Sequence, residues 1–286
     1  NFVTTGDFKL LLSGDEAQTV TFASTGSGTS RIANLEITNA SEEGVIFGSN
    51  HATVTGLLKD NGNKTSGWVI LTGSSKLENN TYGGNIVVQD SINVTEPWVV
   101  EGDLYQSNTV TYKSNIKVNG DYRLAKGYAY LQGNTMTVKG NTSIGEGGYR
   151  NAVCITPQGG TFYGEGDVIF KSATQTHTGF DMNNANDKVY IGGNLTVESQ
   201  YGATYTAGTM ELKGDFTQKI TRNTDTFNAS GSHTVILSGD KKQTITFAST
   251  NSTFNNLVLE NHSADGIYAP NGLNARKVTW NGCNVT

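Results

Sequence analysis

Apolar and polar residues alternate along short runs of this chain. Leu10 and Leu12 fall on one side of an extended strand, as do Val20 and Phe22; the same pairs return as Val235 with Leu237 and Ile245 with Phe247. A period of two predicts strands with one buried face. The runs are rich in Thr, Val and Ile and bounded by Gly-Asn or Gly-Asp, which predicts tight turns between them. No stretch carries a helical period, so the expected fold class is all-β.

A longer rhythm is superimposed on the alternation. A Gly before Asn or Asp opens a β-rich run at positions 84, 102, 120, 140, 166, 193 and 214, with gaps of 18, 18, 20, 26, 27 and 21 residues. That is the length of one turn of a β-solenoid, in which each turn stacks on the last. At about 22 residues per turn, the 286 residues predict roughly 13 coils in a single domain spanning 1–286, a rod on the order of 60 Å long.

The two ends of the chain repeat each other. LLLSGDEAQTVTFAST (10–25) and VILSGDKKQTITFAST (235–250) share 11 of 16 positions. SRIANLEITNASEEGV (30–45) aligns with STFNNLVLENHSADGI (252–267) after a three-residue shortening of the loop, and NFVTTG (1–6) faces TFNASG (226–231). Segments 1–47 and 226–271 are therefore homologous copies of one unit. A cassette of about 225 residues in a longer repeat protein is expected, with this chain a monomeric fragment of it.

The unit has the form aliphatic-x-G-x-x-x-Q-T-[VI]-T-F, a variable loop, then N-L-x-[IL]-x-N. Its residues are Gly14, Gln18, Phe22, Asn34, Leu35, Ile37 and Asn39 in the first copy. The second copy has Gly239, Gln243, Phe247, Phe254, Asn256, Leu257, Leu259 and Asn261. This unit resembles the β-solenoid repeat regions of large secreted bacterial surface proteins and adhesins. The resemblance covers both ends clearly and the middle only through the Gly-Asn/Asp rhythm. It implies a right-handed parallel β-helix displayed outside the cell, and such motifs specify architecture far better than activity.

Composition removes several function classes. Charged residues are 16 % of the chain and Pro only 3 residues, unlike a disordered segment. The net charge of −5 comes without any basic stripe, so nucleic acid is not an expected partner. No apolar run approaches the roughly 18 residues of a membrane helix, and no signal peptide opens the sequence, as in a mature protein or an excised fragment. Cys154 and Cys283 are the two cysteines, too few and too distant for a disulfide scaffold or zinc site. Stacked turns would hold them on the order of 30 Å apart, well beyond disulfide reach.

Candidate chemistry is sparse. Asp225 and Asp265 lie in stretches similar to fragments of β-helix glycoside hydrolases, but an inverting pair must face one cleft about 6.5–9.5 Å apart, and the remaining elements of that pattern are missing. DMNNANDK (181–188) begins like a calcium loop, yet Ala185 takes a ligand position and no Gly follows, so a long turn is expected. TPQGGTFYGEGD (156–167) lacks the Lys-Ser/Thr of a phosphate loop, and the four histidines are scattered. No catalytic residue, metal site or cofactor is nominated.

Aromatic residues are the stronger signal, because tyrosines crowd the central region. Tyr128, Tyr130, Tyr149, Tyr163, Tyr201 and Tyr205 form a candidate glycan platform, since Tyr offers a flat apolar face and a polar tip; core packing is the competing expectation. The expected function is a non-catalytic segment of a secreted or cell-surface bacterial protein. It would be a rigid spacer with an adhesive surface for polysaccharide, host glycan or a cell-wall component. The alternative is a polysaccharide-active enzyme, pectate-lyase-like or a glycoside hydrolase, on the same scaffold.

Overall fold

The computed structural model describes residues 2–22, 30–48, 51–146, 151–172, 177–219 and 222–286. Among them there is no helix, and every strand pairing is parallel. The chain winds as a β-solenoid of about 11 turns. One side is a 13-stranded sheet and a second side a 12-stranded sheet; a six-stranded sheet closes the central turns and a three-stranded sheet the first ones. The number of turns is slightly below the roughly 13 expected, because several turns outrun the average of about 22 residues. Met136 pairs with Phe162 and Phe162 with Val189, intervals of 26 and 27 residues that match the longest gaps in the glycine rhythm.

Alternation explains the core. In the 12-stranded sheet the inward column runs Ile86, Leu104, Tyr122, Thr142, Val168, Leu195 and Phe216, in register from turn to turn and all buried. One hydrophobic cluster extends from Leu12 to Cys283. Gln106 enters the core with its side chain satisfied: it accepts from the hydroxyls of Tyr112 at 3.0 Å and Tyr122 at 2.7 Å, while its amide donates to the Asn108 and Tyr128 carbonyls. Cys154 and Cys283 are both buried and free.

The Gly-Asn/Asp rhythm marks the corner between the 13- and 12-stranded sheets. There the main chain bends, and bending leaves N–H groups that need acceptors. Each Asx side chain accepts the backbone N–H of the Asx one turn on: Asn85 from Asp103, Asp103 from Asp121, Asp121 from Asn141, and so through Asp167, Asn194 and Asp215 to Thr244, at 2.7–3.0 Å. Alongside, Gly102 donates to Gly84, Gly120 to Gly102 and Gly140 to Gly120. The glycines are required by this close approach. A Cβ on Gly120 would sit 2.3 Å from Asp103 Oδ1 and 2.7 Å from the Gly102 carbonyl oxygen.

The two sequence copies share a corner frame, although their aligned strands Gln18–Val20 and Gln243–Phe247 join the three-stranded and the 12-stranded sheet respectively. In the first, Asn39 donates to the Glu16 carbonyl at 2.8 Å and to Gln18 Oε1 at 3.0 Å, and accepts from the Ser41 N–H and hydroxyl at 2.9 and 2.7 Å. In the second, Asn261 repeats these bonds to Lys241, Gln243 and Ser263 at 2.8, 2.9, 2.9 and 2.7 Å. The recurring residues are the hydrogen-bonded frame of a corner, which is a structural duty.

Candidate functional site

The outer face of the six-stranded sheet carries an aromatic pair. Tyr128 and Tyr130 lie two apart on the strand Gly127–Tyr130, so the pleat turns both outward while Ala129 points to the core. Their rings lie 5.2 Å apart at an interplanar angle of 10°, and both are half-buried. In register beside Tyr128 stand Cys154 and then Gly179, so small residues follow the aromatic pair along the axis. Next to them is Asp181, whose Oδ1 accepts the Thr204 N–H at 2.9 Å. Burial first, then the neighbouring Asp181 and Cys154, hold both phenols above the ordinary tyrosine range.

This surface can stack and hydrogen-bond, but it holds no ready nucleophile. The Cys154 thiol is buried, and burial together with Asp181 pushes its pKa well up, keeping it protonated. Rigid rings with polar tips beside a carboxylate suit a hydroxyl-rich ring, which offers an apolar face and donors at its rim.

The remaining expected platform residues are not brought to one place. Tyr201 begins the last strand of the six-stranded sheet, opposite His177, with ring centroids 5.7 Å apart. Tyr163 lies on the 13-stranded sheet, 37 % exposed, where its ring stacks on Tyr190 at 4.3 Å and 3°. Tyr205 is a correction: it is buried in the core, its ring 4.3 Å from Phe227, and offers no outer surface. The register shifts by one residue between the His177–Tyr201 pair and the Met182–Tyr205 bridge, which sets Tyr205 beside buried Met182. Tyr149 lies outside the described residues. Tyr190 and Asp181 were absent from the expected platform. A signal for Tyr190 existed, because the 27-residue gap between Gly166 and Gly193 places it directly beside Tyr163.

The residues weighed for catalysis and metal binding have structural roles or lie apart. Asp225 sits in the turn after the strand Phe216–Gln218, and Asp265 in the turn between Phe254–Leu259 and Ile267–Tyr268, at different corners of the coil. In the 181–188 turn, buried Asp187 accepts main-chain N–H groups from Gly159 at 2.6 Å and from Asn183 and Asn184 at 3.0 Å. It organises the turn and its oxygens are already occupied. Among the described residues, no three His, Cys, Asp or Glu side chains form a group able to hold a metal ion. A cleft of about 420 Å³ on the 12-stranded sheet is lined by Asp121, Arg123, Glu146 and Asp167. Both aspartates there belong to the corner ladder, each accepting a main-chain N–H from the next turn.

Comparison with protein-family models, curated proteins and solved structures finds no match to this chain. The geometry alone therefore carries the functional reading.

Proposed function

We propose that this chain is a non-catalytic β-solenoid segment of a secreted or cell-surface bacterial protein. It serves as a rigid spacer whose central turns bind carbohydrate. The observation that supports this reading is the near-parallel Tyr128–Tyr130 pair, half-exposed on an outer sheet face beside Asp181. Partners of matching chemistry are polysaccharides, host glycans or cell-wall saccharides. Each cassette contributes a weak contact, and repetition along a longer parent raises avidity without any new contact.

The test is a broad glycan and polysaccharide screen with the wild type and a Tyr128→Ala/Tyr130→Ala variant, paired with a reducing-sugar assay on every hit. Loss of stacking should weaken binding at least about tenfold, with an unchanged circular dichroism spectrum. Undiminished binding by the variant sinks the platform, and release of reducing ends would replace the binder with the enzyme.

A further inference from the structure

A second groove, of about 600 Å³, runs along the glycine corner, on a different side of the solenoid from Tyr128 and Tyr130. Its floor is bare main chain at Gly193 and Gly214, where a Cβ would lie 2.4 Å from Asp167 Oδ1 and 2.3 Å from the Gly193 carbonyl oxygen respectively. Tyr190 forms one side, its ring held by the stacked Tyr163. Lys213, Lys241 and Lys242 also line the groove.

These cations are only partly neutralised. Lys213 Nζ lies 3.8 Å from Asp240 Oδ2, on a carboxylate side chain that is 74 % exposed. Lys242 Nζ sits 4.5 Å over the Tyr268 ring, a cation–π arrangement. The other lining carboxylate, Asp215, already accepts the Thr244 N–H at 2.7 Å. Lys241 makes no ion pair within the described residues.

The first copy of the repeat isolates what the fold needs here. At the positions of Lys241 and Lys242 it carries Glu16 and Ala17, a difference of three charge units. Yet the Asn39 and Asn261 frames that grip the Glu16 and Lys241 carbonyls agree to 0.1 Å. The same hydrogen-bonded frame forms without lysines, so their presence over an open, aromatic-sided groove points to a ligand.

We propose that this groove binds an acidic saccharide unit, the sugar ring lying against Tyr190 and its carboxylate or sulfate held by Lys213 and Lys241. This rests on the carbohydrate-binding reading given above but uses none of the same residues. Charged hydrogen bonds to the anion supply strength, and the apolar ring face supplies discrimination against simple polyanions.

Affinity electrophoresis against four polymers tests it: polygalacturonate, dextran sulfate, neutral dextran and polyglutamate. The wild type should be retarded by polygalacturonate, dextran sulfate or both, which identifies the anion as carboxylate or sulfate, and not by dextran or polyglutamate. The variant Lys241→Glu/Lys242→Ala, which installs the residues the first copy already tolerates, should bind at least about tenfold more weakly. Tyr190→Ile, matching Ile236 further along the same outer column, should weaken it at least about threefold. Absence of retardation by either acidic polysaccharide, equal retardation by polyglutamate, or an unaffected lysine variant overturns the proposal. Binding lost in Tyr128→Ala/Tyr130→Ala but kept in the lysine variant also overturns the groove, while leaving the carbohydrate reading standing.

Discussion

The side-chain amides of Gln243 and Asn261 hydrogen-bond at 2.9 Å across adjacent turns, and Gln18 and Asn39 repeat that bond at 3.0 Å near the other end of the molecule. Gln243 also accepts the Gly239 N–H at 2.9 Å and donates to the Leu212 and Gly214 carbonyls at 3.0 and 2.9 Å. One buried amide thus ties three successive turns. Asn261→Ala removes two donated and two accepted hydrogen bonds, and leaves the buried Gln243 Oε1 with only the Gly239 N–H. The loss should be about 2–3 kcal/mol. Asn39→Ala should lose about 1 kcal/mol, because Gln18 is only half-buried and water can replace its partner. Urea unfolding midpoints of the two variants measure the difference, and equal losses would show that burial of the glutamine is irrelevant.

The glycine corner is constrained by space, and a paired substitution separates space from backbone conformation. Gly120→Ala would press a methyl group to 2.3 Å from Asp103 Oδ1 and 2.7 Å from main-chain atoms of the previous turn, which cannot move without breaking the ladder. Gly133 has φ +82° but nothing within 4 Å of an added Cβ, so Gly133→Ala meets only the left-handed penalty of about 1–2 kcal/mol. Gly120→Ala should exceed that, at about 3 kcal/mol or more. Thermal or chemical denaturation of the two proteins ranks them, and the reverse order would remove the close-approach argument.

The solenoid was legible because its two controlling signals are local. Alternation in the pairs Val235 with Leu237 and Ile245 with Phe247 marks which side chains face inward, and the glycine intervals mark which residues stack between turns. The binding surface was less legible because exposure depends on strand irregularity. Tyr201 and Tyr205 sit in one stretch among similar small residues, yet one is half-buried at a strand end and the other is core. Asp181 and Tyr128 meet only through parallel pairing of strands far apart in sequence. The 181–188 segment is the turn its sequence predicts, but the three N–H groups converging on Asp187 come from two different turns, and no local pattern announces them.

Asp187 should behave as a turn organiser. Asp187→Ala leaves the part-buried N–H groups of Gly159, Asn183 and Asn184 without their acceptor, a loss of about 2 kcal/mol. Asp187→Asn retains one acceptor oxygen and should fall between the alanine variant and wild type. Hydrogen exchange at those three amides reads the effect directly. Unchanged protection in the alanine variant would mean that the turn is held by something else.

His233 should make the molecule acid-sensitive. It is fully buried, with its ring near Tyr205 and Phe227 and neither ring nitrogen hydrogen-bonded, and burial lowers its pKa to about 4. The folded state therefore keeps the imidazole neutral, whereas the unfolded chain takes up a proton near pH 6.5. Because the unfolded state binds the proton more readily, stability is full above about pH 6.5 and declines as the pH falls toward about 4, by up to about 3 kcal/mol. The aligned position of the first copy is Phe8, there 44 % exposed, so the repeat accepts a phenyl side chain at this place. His233→Phe should leave stability at pH 7 equal or higher and remove this part of the acid loss. Urea unfolding at pH 7, 5.5 and 4.5 compares the slopes of the two proteins, which cancels the titration of every other group. Parallel slopes would show that the buried imidazole is not the source.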